Sequence, residues 1–286
     1  MARIILLIVL FMIMAFSLVT NLVGERTGGP RLNIFNEFGR GVANTLNSAD
    51  RLAPDLSGAI GRVDEGLGKL AKLGGADGEA GFTAASMNIS SADFTGVRAA
   101  RSVFAGVEMN GTQFVGALLD EASFEGATGA SPNFSKARLV NASFTAARIP
   151  GADFTGANLQ QAAMRAGDFS SANFTGADMT AASLSAASLV KATVTRAFAP
   201  GGLFVDAVAD GADFSGTDLR AAKFTGASLR DVQFAAADLA GADFSGAKLQ
   251  GADLTAANGL TAGQLRGACG DASTKLPHGF GLTACE

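Results

Sequence analysis

Ala152-Asp153-Phe154-Thr155-Gly156 runs straight into Ala157-Asn158-Leu159, and the same phrase returns as Ala242-Asp243-Phe244-Ser245-Gly246. Outward from these stretches one register holds from Ile89 to Leu254, with one central residue every five positions, thirty-four in all. Thirty of the centres are Phe, Leu, Ile, Met or Val, and 24 of the positions two places earlier are Ala. The residue just before the centre is mostly polar. Ser or Thr commonly follows it, then often Gly.

A helix buries residues at a spacing of 3.6 and a strand at a spacing of 2, so a period of five is neither alone. It decomposes into a short strand and a turn. The Ala and the centre are two apart and share one face of an extended segment, while the polar residue between them points the other way. The Ser/Thr-Gly pair suits a corner, because Gly accepts positive φ and a hydroxyl can bond nearby backbone. Each unit then sends one large and one small side chain inward.

Phe recurs every ten residues, at Phe94, Phe104, Phe114, Phe124, Phe134, Phe144 and Phe154, with Leu or Met commonly between. Three sides per coil would mix Phe and Leu along every column. Four sides keep them apart. Twenty-residue coils place Phe94, Phe114, Phe134, Phe154 and Phe174 in one interior ladder, and Leu219 and Leu239 in a neighbouring one. At ~4.8 Å per rung the tube is roughly 40 Å long.

The pattern A-(D/N)-(L/F)-x-x, met at Ala157-Asn158-Leu159, Ala172-Asn173-Phe174 and Ala252-Asp253-Leu254, resembles that of the pentapeptide repeat family. The resemblance covers about 170 residues. It implies an all-β solenoid, a right-handed quadrilateral parallel β-helix. It says little about function, because fold and function separate. Gly129, Ala99, Ala199 and Ala209 are undersized centres, and Pro132 takes a small inward site. Such rungs are expected to form local loops or bulges. The strongest departure is Phe198-Ala199-Pro200-Gly201-Gly202-Leu203-Phe204-Val205-Asp206-Ala207-Val208, where Phe198, Leu203 and Val208 take outward positions.

The flanks divide the chain into four parts: residues 1–23, 24–81, 82–258 and 259–286. Ile4 to Val23 carry no charge. Twenty helical residues span ~30 Å, the thickness of a bilayer's hydrocarbon. The run exceeds a usual signal-peptide core and no convincing cleavage site follows, so an uncleaved transmembrane helix is expected; removal as a signal peptide is the alternative. Arg3 lies before the span, and Arg26 and Arg31 after it, so charge alone leaves orientation open.

Cys269 and Cys285 are the only cysteines, and in a chain with an export-like start such a pair reads as a disulfide, against two free thiols. Closing that loop contributes ~3 kcal/mol. This orients the N-terminus to the cytoplasm and the repeats to the periplasm, as a single-pass protein of the inner membrane or as a periplasmic one after cleavage. The tail Leu260-Thr261, Cys269-Gly270-Asp271, Lys275-Leu276-Pro277 and Cys285 resembles the ending of many bacterial pentapeptide repeat proteins. Thr261-Ala262-Gly263-Gln264 resembles a capping box, so a short helix and the disulfide loop are expected to cover the last coil.

In the linker, Leu32, Phe35, Val42, Leu46, Ala49, Ala53, Leu56, Ile60, Val63, Leu67 and Leu70 follow heptad spacing. This suggests partly helical structure and self-association of copies, or an amphipathic pair lying on the rod or bilayer. Pro54 and several glycines weaken a long helix.

No catalytic, cofactor or metal motif emerges. His278 is the only histidine, and no phosphate loop or dinucleotide fingerprint occurs. Asp residues before the centres read as outward solubilising groups. Asp218, Asp238 and Asn258 stack within cation-binding distance, but solvated charge is the simpler reading. The leading functional expectation is a non-catalytic, membrane-anchored scaffold with protein partners. Its candidate contact patch is Phe198, Leu203, Val205 and Val208. The family resemblance offers a second, a DNA mimic that binds type II topoisomerases. Residues 82–258 carry 16 acidic and 12 basic residues, which is sparse beside one charge per ~1.7 Å of duplex. Nucleic acid is not expected as a partner. A β-helix enzyme on a polymer substrate is the third reading, and it lacks the groove and tuned acids it requires.

Overall fold

Nearly every corner of the rod turns on the same three residues after a centre. The centre's carbonyl accepts a hydrogen bond from the N–H three residues on, as in Ala157 N–H to Phe154 O at 2.9 Å. The third residue of the turn has positive φ, 64° at Gly156 and 52° at Ala166. This is the signature of a type II turn. Four such turns close one coil of a square parallel β-helix in the computed structural model, which describes residues 83–285.

Successive coils pair in parallel at a constant offset of twenty residues, from Thr83 with Val103 to Asp238 with Asn258. The ladder uses the backbone economically. The centre's N–H bonds upward, as Phe154 to Asn173 O at 2.7 Å, and the residue before it bonds downward, as Asp153 to Pro132 O at 2.9 Å. The corner residue with positive φ adds a third bond, Gly156 N–H to Thr175 O at 2.9 Å. Each rung is therefore tied at every side, with no edge exposed along the rod.

The bore holds the core. Phe94, Phe114, Phe134, Phe154 and Phe174 line one wall and Phe104, Phe124 and Phe144 the opposite one, all buried. Rings within a wall stack at 4.8–5.1 Å, matching the rung spacing. Rings from opposite walls meet edge-to-face, Phe134 and Phe144 at 5.4 Å and 90°. Both arrangements suit the aromatic quadrupole. Leu219 and Leu239 are buried on an intervening wall. Inward Thr112 and Thr217 each donate to a carbonyl of the coil below, Ile89 O and Val194 O, which satisfies their hydroxyls.

The expected loops at weak rungs do not occur. Gly129 keeps its rung, with Thr128 paired to Glu108 and Arg148. Its φ is 146°, and a Cβ there would lie 2.7 Å from the Met109 backbone, so the wall closes over a side chain that only glycine omits. Phe198, Leu203 and Val208 also keep full ladder pairing on both sides. Pro200 and Gly201 supply the proline and the positive φ of 66° that a type II corner favours, so this stretch is a regular corner rather than a bulge.

Beyond Asn258 the chain lays one irregular coil over the last rung. A 3-10 helix, Ala262–Leu265, follows Thr261, whose N–H and hydroxyl both donate to Gln264 Oε1. Gln264 Nε2 reaches Leu239 O, tying this turn to the rod. Cys269 pairs with Lys248 and Lys275 with Asp253. Leu265 and Ala268 are buried, and Leu276, Phe280 and Leu282 pack against the core. The Cys269–Cys285 disulfide joins the short parallel strands Cys269–Gly270 and Thr283–Ala284. Among the described residues no helix is long and apolar enough to cross a membrane; the span expected at residues 4–23 and the heptad seam at 32–70 lie outside them.

Candidate functional site: the outer walls of the rod

The residue before each centre points outward, and its role is structural as well as solvating. Asp153 Oδ1 accepts the Thr155 N–H at 2.9 Å and the Thr155 hydroxyl at 2.5 Å. Asp168, Asn173, Asp178, Asp243 and Asp253 repeat this clasp on Ser170, Thr175, Thr180, Ser245 and Thr255. The N–H they hold is the one in each unit that the ladder leaves over, so Asp or Asn here satisfies the corner's last donor. The reading of these residues as solubilising groups alone is corrected. Where the clasp is missing, a side chain one coil below can substitute: Asp210 Oδ1 accepts the Arg230 N–H and Asn110 Oδ1 the Ala130 N–H. Phe198 departs from Asp or Asn because residue 200 is Pro, which has no N–H to clasp.

Phe198 and Val208 are exposed, at 43% and 41%, whereas Leu203 and Val205 are half-buried. They do not form one flat patch. Phe198 stands on the wall of the Leu159 column, Leu203 on the next and Val208 on the one after. With four walls per coil, Phe198 and Val208 face opposite ways, and Val205 marks the corner between Leu203 and Val208. The apolar residues form a belt around three sides of a single rung.

Several charges pair across adjacent coils. Arg101 pairs with Glu121, Arg138 with Asp120, Lys223 with Asp243, Arg230 with Asp210 and Lys275 with Asp253, each between adjacent coils. All are solvent-exposed pairs worth about 0–1 kcal/mol each. Asp218 and Asp238 adjoin on one wall. Arg220 sits between them, 2.7 Å from Asp218 Oδ2 and 3.8 Å from Asp238 Oδ2, where a cation would otherwise stand. The hydrogen bond from Arg220 holds the Asp218 carboxyl below the usual carboxylate range. The hydroxyls of Ser245, Thr255 and Ser273 do the same for Asp243, Asp253 and Asp271. Among the described residues no group of three or more His, Cys, Asp or Glu is placed to hold a metal.

A four-sided tube with a filled bore, one-rung corners and walls of capped polar residues defines a β-solenoid repeat protein, a class that presents surface rather than a cleft. The model of the family described as Pentapeptide repeats matches eight copies across residues 88–126, 108–145, 130–161, 164–198, 187–226 and 227–258. The chain belongs to the pentapeptide repeat family. A comparison with curated proteins found no match. Among solved structures the chain is similar to HetL, a pentapeptide repeat protein involved in heterocyst differentiation regulation from the cyanobacterium Nostoc sp. strain PCC 7120. That similarity has 20% identity over 70% of this chain and 90% of HetL, with a TM-score of 0.50. It is also similar to trypsin-treated QnrB1, a plasmid-mediated fluoroquinolone resistance protein, at 16% identity over 60% of this chain and 91% of that one, with a TM-score of 0.40.

Proposed function

We propose that this protein is a non-catalytic interaction scaffold, tethered to the inner membrane by residues 4–23, with its repeat rod in the periplasm. The observation that carries the reading is the rod itself. Its bore is filled, and its polar side chains clasp corners or pair with one another instead of converging on a reaction centre. What it offers a partner is wall area, interrupted by the belt of Phe198, Leu203, Val205 and Val208. The uncharged run at residues 4–23 supports the tether, and the Cys269–Cys285 disulfide supports an oxidising compartment. A homo-oligomer through residues 32–70 is compatible with this reading.

Protease protection and thiol labelling on spheroplasts test it. The expected result is a rod cleaved from outside in intact spheroplasts, with both cysteines unreactive until reduced. A rod protected in intact spheroplasts, or thiols that label without reductant, contradicts it. Photocrosslinking from Leu203 in membranes should capture a protein, and absence of any adduct removes the belt as a contact. The DNA-mimic reading is disfavoured because paired carboxylates give no dense, uniform negative strip; protection of cells from quinolones by the expressed chain would restore it.

A further inference from the structure

One wall of the rod differs from the other three. Its outward residues Val103, Ser123, Ser143, Ala163, Ser183 and Leu203 run through six coils without a charge. Over the same coils each other wall carries charge, at Arg148 and Asp168, at Asp153 and Asp213, or at Arg138 and Asp178. Ala163 is the only alanine among the outward ladder positions from Thr83 to Asn258. Ser183, next on the wall, is buried although it points outward. Two charged side chains on one edge lean across this wall. Glu125 Oε1 accepts a hydrogen bond from Ser143 Oγ at 3.0 Å, and Arg165 Nε donates to Ser183 Oγ at 3.1 Å. Neither has an ion-pair partner among the described residues. The carboxylate thus stands one coil to one side of Ala163 and the guanidinium one coil to the other.

We propose that this wall is a docking surface for the same wall of a second copy, packed antiparallel about a two-fold axis at Ala163. Turning the wall end over end lays the Glu125–Arg165 edge against itself with its direction reversed. Glu125 then faces the partner's Arg165, Arg165 faces the partner's Glu125, and Ala163 faces the partner's Ala163, the self-complementarity that an isologous contact requires. On the far edge Glu121 falls opposite the partner's Gly201, so no like charges oppose. A parallel arrangement fails this test, because it sets the Glu125 edge against the edge that carries Glu121. Small outward side chains at the axis let two walls approach to the ~10 Å of packed sheets. At ~4.8 Å per coil, the seven coils from Val103 to Lys223 offer roughly 34 Å by 12 Å, or about 400 Å² per copy, the size of a weak, transient interface. The contact covers Leu203 and Val205 and leaves Phe198 and Val208 free for another partner. It does not depend on the tether or the compartment proposed above, and its failure leaves the scaffold reading standing.

The native cysteines are bonded to each other, so an introduced thiol is the only free one. In the full-length chain kept in mild detergent, Ala163→Cys should form a disulfide-linked dimer at least about tenfold faster than Thr193→Cys on another wall, because the axis brings two copies of one thiol together. Glu125→Arg alone, or Arg165→Glu alone, should slow the Ala163→Cys crosslink at least about tenfold, since each sets like charges against each other twice. Both charge changes in one chain should restore the rate to within about threefold. All these positions lie on walls and corners outside the bore, and an unchanged melting temperature shows that the rod is intact. Crosslinking at Ala163→Cys no faster than at Thr193→Cys overturns the proposal. So does a rate that ignores the single charge reversals, which would assign any association to another part of the chain, or a double exchange that fails to restore it.

Discussion

The aromatic section of the bore, Phe94 to Phe174, and the aliphatic waist above it, Met179 to Ala199, have the same backbone and different fillings. In the first, rings from two walls stack and interdigitate as far as Phe154; Met164 then interrupts one wall, and Phe169, from a third wall, meets Phe154 and Phe174 edge-on at 6.3 Å. In the second, Met179, Leu184, Leu189, Val194 and Ala199 replace them, and rings resume only at Phe204. The ladder is indifferent to the exchange. Phe134 N–H reaches Asp153 O at 2.7 Å, and Met179, Leu184, Leu189 and Val194 reach their partners at 2.6–2.7 Å. Corners and ladder therefore set the shape of the tube, and the bore side chains set how strongly it is held. The waist also coincides with the outward belt. The coil that begins at Val194 has the smallest interior, with Ala199 and Ala209 as centres, and the most apolar exterior.

Substitutions can break or sharpen this contrast. Phe134→Ala removes a ring stacked on two others and edged by two more, and should cost about 3–5 kcal/mol in denaturant unfolding. Val194→Ala in the waist should cost about 2 kcal/mol, because fewer buried carbons are lost. Equal losses at the two sites would refute the distinction. Adding volume should reverse the order of tolerance. Val194→Phe has Ala199 and Ala209 in its own coil and should change stability by less than about 1 kcal/mol, whereas Ile149→Phe should cost about 1–3 kcal/mol. Phe169 is accepted in the column of Ile149 only because Gly167 makes room; a Cβ at 167 would lie 2.5 Å from its ring. Gly167→Ala should accordingly cost about 1–3 kcal/mol.

The corner clasp gives smaller effects. Asp153→Ala leaves the Thr155 N–H without its partner and should cost about 1 kcal/mol. Phe198→Asp has no N–H at Pro200 to clasp, so it should gain no such bond and change thermal stability little. The acid limb follows from the lowered carboxyl pKa values of Asp218, Asp243, Asp253 and Asp271. A folded pKa below the unfolded one means that the unfolded chain takes up protons first. The stabilisation is thus full above the unfolded value of ~3.9 and is lost as pH falls through the folded value. Asp243→Asn with Asp253→Asn keeps the amide oxygen as acceptor. Stability near neutrality should barely move and the fall below pH ~4 should become shallower, as read by melting temperature against pH. An unchanged acid limb would show that these clasps do not contribute to it.

The architecture was legible because a period of five excludes both regular alternatives, and because Phe every ten residues requires an even number of walls. The departures were misread for local reasons. Gly129 and Ala199 look like breaks when each centre is taken as the support of its own rung, yet the rung is supported by ladder bonds that any residue can make. Pro200 looks like a breaker, but the N–H it lacks is the one the ladder never uses. The clasp by Asp153 or Asn173 was open to inference from Asp or Asn two places before Ser or Thr, a spacing that permits an Asx turn. Nothing in the sequence pattern of Phe198, Leu203 and Val208 shows that five-residue spacing puts each on a different wall until the number of walls is applied to the exterior as it was to the bore.

Residue-resolved hydrogen exchange from Phe94 to Leu254 tests the central claim most directly, because every unit should show slow exchange at the four amides used in ladder and turn and faster exchange at the one held only by a side chain, such as Thr155. This account predicts that the five-residue alternation continues unchanged through Met179 to Ala199, where the rings are absent. Exchange without that period, or a waist whose ladder amides lose protection while the aromatic section keeps it, would contradict a tube shaped by its corners and ladder.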